Sequence, residues 1–157
     1  MDPNNVKYAI TPKTITIMCG LPRSGKSTWV CQHKTNDIIV SADDMRLLVY
    51  NKEYWSEGEP LMWSIREILL RMLMQQGANI IVDETNTMKE RRRPIIKMAQ
   101  KYGYQIICVF INSSASYKCK ERAIAEGKEY LTPIIDRMND QFEKPTKEEG
   151  FDEVIII

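Results

Sequence analysis

The residues best suited to do chemistry form a glycine-rich segment early in the chain. Residues 20–27 match the pattern G-x-x-x-x-G-K-[ST], whose glycines let successive backbone N–H groups turn inward around phosphates. Lys26 is predicted to reach the β- and γ-phosphates of a nucleotide, facing solvent while that site is empty, and Ser27 is predicted to ligate Mg²⁺. The predicted nucleotide-binding residues are Gly20, Leu21, Pro22, Arg23, Ser24, Gly25, Lys26, Ser27 and Thr28.

A second candidate is the carboxylate that follows the apolar run 79–82. Asp83 stands at the end of this run, where a loop of the kind at 20–27 needs an acidic group to organise Mg²⁺. Acidic residues at strand ends also form turns, so only the glycine-rich segment favours the metal role for Asp83. For the neighbouring Glu84, the sequence leaves a functional and a structural role equally open.

A third pair of candidates, Asp43 and Arg46, follows the run 37–41. Residues three apart lie on one face of a helix, and a carboxylate beside an arginine suits a general base next to an anchor for an anionic acceptor. Helix capping is the alternative, because Ser41, Asp43 and Asp44 all suit a first helical turn. Capping does not account for Arg46.

These candidates need elements to hold them, and the chain alternates between two patterns. β-branched and apolar runs, typical of strands, cover 14–19, 37–41, 79–83, 105–111 and 154–157, although the last could be a terminal hydrophobic tail. Helical spacing covers 26–32, 43–50, an apolar face over 61–73, 89–102, 116–126 and 132–143. The alternation predicts an α/β fold, with a mainly parallel sheet of four to five strands flanked by helices. The candidates would then share the carboxyl edge of the sheet, where such folds bind ligands.

Composition and charge limit the class of protein. The chain has 157 residues, 43% of them hydrophobic, and its 22 basic and 21 acidic residues leave a net charge of +1. These values predict one domain over 1–157, and the near-neutral charge predicts that any contact with nucleic acid is confined to an end or a small channel. No apolar run is long enough to span a membrane, and the polar N-terminus is not typical of a signal peptide. The four cysteines are scattered away from the single histidine, which argues against a zinc site or disulfide framework and predicts a cytoplasmic protein.

The segments 20–29, 41–46, 83–86 and 90–92, in this order, resemble the polynucleotide 5′-kinase family, and the resemblance extends over roughly 14–142. It implies a P-loop kinase fold, ATP or another nucleoside triphosphate as phosphate donor, and Mg²⁺. It also implies that Asp43 is the general base for the attacking hydroxyl and that Arg46 contacts the acceptor.

The same resemblance implies a helical lid over about 114–131 that brings Arg122 to the nucleotide. The family's second lid arginine is replaced here by Glu126. Because Arg122 and Glu126 are four positions apart in a predicted helix, they could instead form an intrahelical ion pair. The predicted catalytic residues are Lys26, Asp43, Arg46 and Arg122, and the predicted metal ligands are Ser27 and Asp83.

Three hypotheses follow for the activity. The first is an ATP-dependent kinase that phosphorylates the 5′-hydroxyl end of DNA or RNA. The second is a P-loop kinase for a small hydroxylated metabolite or a modified base in DNA, with a different role for Arg46. The third is a nucleotide-binding switch or adaptor without phosphate transfer, which Asp43 and Arg46 argue against because a switch needs no acceptor-side base. The sequence does not decide the acceptor, the preferred nucleotide or the oligomeric state.

Overall fold

The computed structural model describes residues 12–112 and 115–157. Strands and helices alternate along the chain, as the sequence pattern predicts. The strands are β1 (Thr14–Cys19), β2 (Ile38–Ser41), β3 (Ile80–Asp83), β4 (Gln105–Phe110) and β5 (Glu153–Ile156). The helices are α1 (Lys26–His33), α2 (Ala42–Tyr50), α3 (Glu59–Gln75), α4 (Lys89–Lys101), α5 (Ser116–Ala125) and α6 (Thr132–Asp140), with short 3₁₀ turns at Ser56–Gly58, Glu129–Leu131 and Lys147–Glu149.

The five strands form one parallel sheet in the order β2-β3-β1-β4-β5. The predicted α/β class and parallel sheet are therefore confirmed. The final apolar run is a true edge strand and not a tail, since Val154 pairs in register with Cys108. At the opposite edge, Ser41 of β2 pairs with Asp83 of β3, so the segments that follow these two strands emerge side by side.

Both faces of the sheet are covered, as parallel sheets require. In β1, Ile15 and Ile17 pack into the larger core beneath α3 and α4, while Met18 packs with Val30 of α1 on the other face. A third apolar cluster joins α5 and α6 to the glycine-rich segment through Leu21, Cys119, Ala123 and Ile135. The helices after β4 are thus packed directly against the predicted phosphate loop.

One predicted boundary is wrong for a local reason. The helix predicted over 132–143 ends at Asp140. Beyond it, Phe142 stacks on Phe110 with ring centroids 5.3 Å apart, and the Glu143 carboxylate accepts a hydrogen bond from the Lys89 backbone N–H at 2.7 Å. These long-range contacts withdraw the segment from the helix and cap α4, which sequence periodicity does not report.

Within the described part of the chain, none of the helices has the length and apolar character needed to cross a bilayer.

Candidate active site

The glycine-rich segment forms a tight loop between β1 and α1. Gly20 has φ +153°, and a Cβ there would lie 2.8 Å from Ser24 Oγ and 3.1 Å from the Ile111 carbonyl oxygen, so only glycine fits. Gly25 precedes α1 with φ +111° and gives no side-chain cap. The first turn of α1 also has no acidic residue. Its backbone N–H groups and positive partial charge are therefore available to an anion, as a phosphate loop requires.

Lys26 is not where the sequence analysis put it. The residue is only 8% exposed, and its ammonium donates to the carbonyl oxygens of Gly20 at 3.0 Å and Leu21 at 2.7 Å. Burial lowers the pKa of Lys26 from its usual 10.5 to about 8, although the Asp83 carboxylate opposes this shift. The expectation of a solvent-facing lysine is therefore wrong, because the buried ammonium donates hydrogen bonds to carbonyl oxygens of its own loop.

Ser27 and Asp83, the two predicted metal ligands, lie side by side. The Ser27 hydroxyl donates to the Asp83 carboxylate at 2.8 Å, which joins the start of α1 to the end of β3. Burial raises the pKa of Asp83, partly offset by this hydrogen bond and by Lys26. A hydroxyl and a carboxylate side by side are the hard oxygen donors that Mg²⁺ prefers, and Mg²⁺ usually takes few protein ligands beside substrate phosphates and water. The pair fits that ion, and the described residues offer no larger His, Cys, Asp and Glu cluster.

The Asp43–Arg46 pair is also present, but it is part of a larger arrangement. The Arg46 guanidinium donates one hydrogen bond to Asp43, at 2.8 Å, and two to Glu59 of α3, at 2.7 and 2.8 Å. The hydrogen bonds to Glu59 raise the pKa of Arg46 above its usual value. Asp43 is 88% exposed at the side chain, whereas Arg46 is 12% exposed. The carboxylate is open to an incoming hydroxyl, and the arginine keeps two of its five N–H donors for a ligand.

Glu84, whose role the sequence left open, has a structural partner. Its carboxylate is buried and accepts two hydrogen bonds from Arg66 of α3, at 2.8 and 2.7 Å. Arg66 and Glu59 were both missed from the sequence, because charged residues that flank the apolar face of a helix are ordinarily exposed to solvent. The only available signal was that these charges fall beside the face predicted to be buried.

The lid region contacts the phosphate loop differently from the expectation. Glu126 forms an ion pair with Arg23 of the loop at 2.8 Å, in place of the intrahelical pair with Arg122. Arg122 itself donates to the Arg23 backbone carbonyl at 2.9 Å. The structure thus places the predicted lid arginine at the edge of the phosphate loop, with Glu126 fixing the loop's own arginine.

The segment that follows α5 also contacts the turn that follows α2. Glu53, in the turn after α2, accepts hydrogen bonds from Lys128 at 2.8 Å and from the Tyr130 hydroxyl at 2.5 Å. We call these three residues the Glu53 clasp. The Lys128 hydrogen bond, with a smaller effect from Tyr130, lowers the pKa of Glu53, and the same contact raises the pKa of Tyr130.

The chain is similar to one domain family and to enzymes with different named activities. The family described as "AAA domain" matches residues 15–145. The L-seryl-tRNA(Sec) kinase of Methanococcus maripaludis is 23% identical over 146 residues, which are 88% of this chain and 56% of that kinase. The 2′,3′-cyclic-nucleotide 3′-phosphodiesterase of Pongo abelii is 32% identical over 106 residues, which are 62% of this chain and 24% of that enzyme. This chain therefore matches about half of the first relative and about a quarter of the second.

A solved structure has the same architecture. One chain of the Pnkp1/Rnl/Hen1 RNA repair complex superposes with a TM-score of 0.65 at 18% identity, covering 91% of this chain and 49% of that one. At this level of identity the similarity establishes the fold, which is the P-loop kinase fold that the sequence predicts.

Proposed function

The chain belongs to the AAA domain family, and from this membership and the site geometry we propose that it is an ATP-dependent kinase acting on the 5′-hydroxyl end of DNA or RNA. The observation that carries the proposal is the side-by-side emergence of β2 and β3, with Ser41 paired to Asp83. This register sets Asp43, an exposed carboxylate, beside the group formed by Lys26, Ser27 and Asp83. A donor site and an acceptor-side base then share one edge of the sheet.

The proposed transfer is an in-line displacement. Asp43 accepts the proton of the acceptor hydroxyl while that oxygen forms a bond to the γ-phosphorus of ATP. The bond between the γ-phosphorus and the oxygen bridging to the β-phosphate breaks, and ADP leaves with that electron pair. Arg46 keeps Asp43 in place and offers its remaining N–H donors to a phosphate next to the reacting end.

On the donor side, residues 20–28 hold the triphosphate through backbone N–H groups and the start of α1. Lys26 exchanges its two carbonyl partners for β- and γ-phosphate oxygens, which also favours its charged form. Ser27 and Asp83 would hold Mg²⁺, which supplies charge neutralisation for the phosphates when bound. The proposed lid covers about 114–131, of which the structure describes 115–131, and it supplies Arg122 to the transferring group. The proposed kinase domain spans 1–157, of which residues 1–11, 113 and 114 lie outside the described residues.

The relatives' names are in keeping with an acceptor linked to RNA. One is named as a kinase for a seryl-tRNA, and the structural neighbour belongs to a complex named for RNA repair. A near-neutral net charge of +1 is compatible with an enzyme that contacts only the end of a strand.

A second candidate function is a kinase for a small hydroxylated molecule or a modified base. The observation that favours it is the engagement of Arg46 by Glu59 and Asp43 together. An arginine that is already neutralised can serve to position Asp43 without binding any acceptor phosphate.

Incubation with γ-labelled ATP and Mg²⁺ tests the proposal directly. The acceptors are 5′-hydroxyl DNA and RNA oligomers, 5′-phosphorylated oligomers as matched controls, nucleosides and simple sugars. We expect label only on the 5′-hydroxyl oligomers. Label restricted to the small acceptors would select the second function, and absence of label on every acceptor would overturn the kinase proposal.

A further inference from the structure

Three arginines surround the Trp63 indole at the acceptor side of the site. The guanidinium carbons of Arg46, Arg66 and Arg91 lie 5.7, 5.5 and 5.9 Å from the Trp63 ring centroid. They come from α2, α3 and α4 respectively, so three helices converge on one aromatic ring. We call these four residues the Trp63 cluster.

The three arginines differ in their charge partners. Arg46 is neutralised by Glu59 and Arg66 by Glu84, each through two hydrogen bonds. Arg91 is exposed, and among the described residues no carboxylate lies within ion-pair distance of it. The indole attracts an exposed guanidinium only weakly and does not neutralise it, so Arg91 keeps its charge for an anionic ligand.

The cluster continues the acceptor side away from the phosphate loop. Arg46 contacts Asp43 and lies over Trp63, and Arg91 lies over the same ring from the first turn of α4. A chain whose terminal hydroxyl is at Asp43 and whose first phosphate is at Arg46 would next reach Trp63 and Arg91. A guanidinium binds a phosphodiester and an indole stacks on a base, which is the pairing used by single-strand binding sites.

We propose that Trp63 and Arg91 form a second acceptor subsite, which binds the phosphodiester and base of the nucleotide that follows the reacting end. This inference rests on the proposed function and narrows it. The preferred substrate is a single strand of at least two or three nucleotides, and a nucleoside, a nucleoside monophosphate or a sugar leaves the subsite unfilled.

The test compares acceptors that do and do not reach the subsite. Arg91→Ala and Trp63→Leu are assayed with a 5′-hydroxyl thymidine pentamer and with thymidine 3′-monophosphate. For Arg91→Ala we expect the KM for the pentamer to rise about tenfold or more with kcat little changed, and the KM for the monophosphate to stay the same. Trp63→Leu also removes the ring beneath Arg46, so it should raise the KM for the pentamer more than the KM for the monophosphate. Arg91→Ala should also reduce the salt dependence of pentamer binding by about one phosphate contact.

Two control variants distinguish a loss of binding at the subsite from effects on folding and on general charge. Arg93→Ala removes an exposed arginine two positions further along α4 and should change neither KM. Trp63→Phe keeps an aromatic face and should restore most of the pentamer affinity lost in Trp63→Leu. Equal effects of Arg91→Ala and Arg93→Ala, or equal effects on pentamer and monophosphate, would overturn the subsite.

Direct binding separates this inference from the proposed function. Anisotropy of a 3′-fluorescein thymidine pentamer is measured without ATP for the native chain, Arg91→Ala and Arg93→Ala. Binding that is lost only in Arg91→Ala supports the subsite, even if no phosphate is transferred and the kinase proposal falls. Phosphate transfer to oligomers with identical binding by the three proteins would overturn the subsite and leave the kinase proposal standing.

Discussion

At the scale of single residues, Asp43 is the group whose proposed role as a general base can best be tested apart from its contribution to stability. Its side chain is 88% exposed, and its contact with Arg46 is a surface ion pair worth about 0–1 kcal/mol. Asp43→Asn should therefore lower kcat by about 10²–10⁴-fold, as expected for a general base, with little change in ATP affinity or melting temperature. Steady-state kinetics beside thermal melting measure these effects.

Asp44→Asn is the matched control for this substitution. It removes a neighbouring carboxylate from the same helical turn, and Asp44 is also exposed. If the two variants lose the same amount of activity, the loss reflects the general negative potential of the turn, and Asp43 has no special role as a base.

Lys26 differs from Asp43 because its structural and chemical roles coincide. Lys26→Met keeps the apolar stem and removes the charge, so it should lower turnover by about 10²-fold or more through lost transition-state stabilisation. Burial holds the pKa of Lys26 at about 8, below the usual 10.5, so between these pH values the unfolded chain binds more protons than the folded chain. The stability of the native protein relative to Lys26→Met should therefore increase as pH rises from about 8 to 10.5.

Denaturant unfolding of both proteins at several pH values measures this difference. Groups common to the two proteins cancel, which isolates the contribution of Lys26. A stability difference that stays flat or falls over this range would show that the ammonium is not held in the buried position between the Gly20 and Leu21 carbonyls.

At the scale of elements, α5 is held against the phosphate loop by the buried cluster of Leu21, Cys119 and Ala123, and Arg122 adds only an exposed contact beside it. Arg122→Ala should lower turnover by about 10³–10⁵-fold if this arginine stabilises the transferring phosphate. The melting temperature should change little, because Arg122 is exposed on α5. Glu126→Ala is the companion variant, and it should keep most of the activity since it only releases Arg23. Retained activity in Arg122→Ala would transfer the role to Lys120 or Lys128.

The Glu53 clasp should make the attachment of this segment depend on pH. The pKa of Glu53 is lowered in the folded chain, so its contribution is complete above the ordinary value of 4.5 and is lost as pH falls through the lowered value. The raised pKa of Tyr130 keeps its hydroxyl a donor at neutral and mildly alkaline pH. Hydrogen exchange of residues 116–131, corrected for intrinsic rates, should show constant protection from pH 6 to 8 and reduced protection in acid.

Glu53→Gln provides the control for this measurement. It should show the reduced protection already at pH 7, and acid should then change its protection much less than that of the native chain. Equal protection of the two proteins at neutral pH would mean that the clasp does not hold the segment.

At the scale of the whole molecule, the sequence predicts the sheet and the phosphate loop, and it singles out Ser27 and Asp83, which the fold brings within hydrogen-bond distance. Local rules are enough for these features, because strand patterning, a glycine motif and the shared edge of a parallel sheet fix them in turn. The burial of Lys26 was not predictable from the motif, since it depends on where the Gly20 and Leu21 carbonyl oxygens lie in the folded loop. The pairing of Glu59 with Arg46 and of Glu126 with Arg23 depends on how separate elements pack together, and periodicity within one helix does not report this packing.

The position of β1 in the sheet also determines when the phosphate loop can form during synthesis. Its two neighbours are β3 and β4, so Ile15 pairs with Ile80 on one side and with Ile106 on the other. The end of β1, where the loop begins, also contacts a residue that follows β4, because the Ile111 N–H donates to the Cys19 carbonyl at 2.9 Å. A nascent chain that has emerged only through α3 thus has β1 and the whole glycine motif, but neither β3 nor β4, the two strands that flank β1. Contacts of such long sequence separation form late and slowly, so a nucleotide that binds this loop can stabilise only the chain in which β3 and β4 have already joined β1.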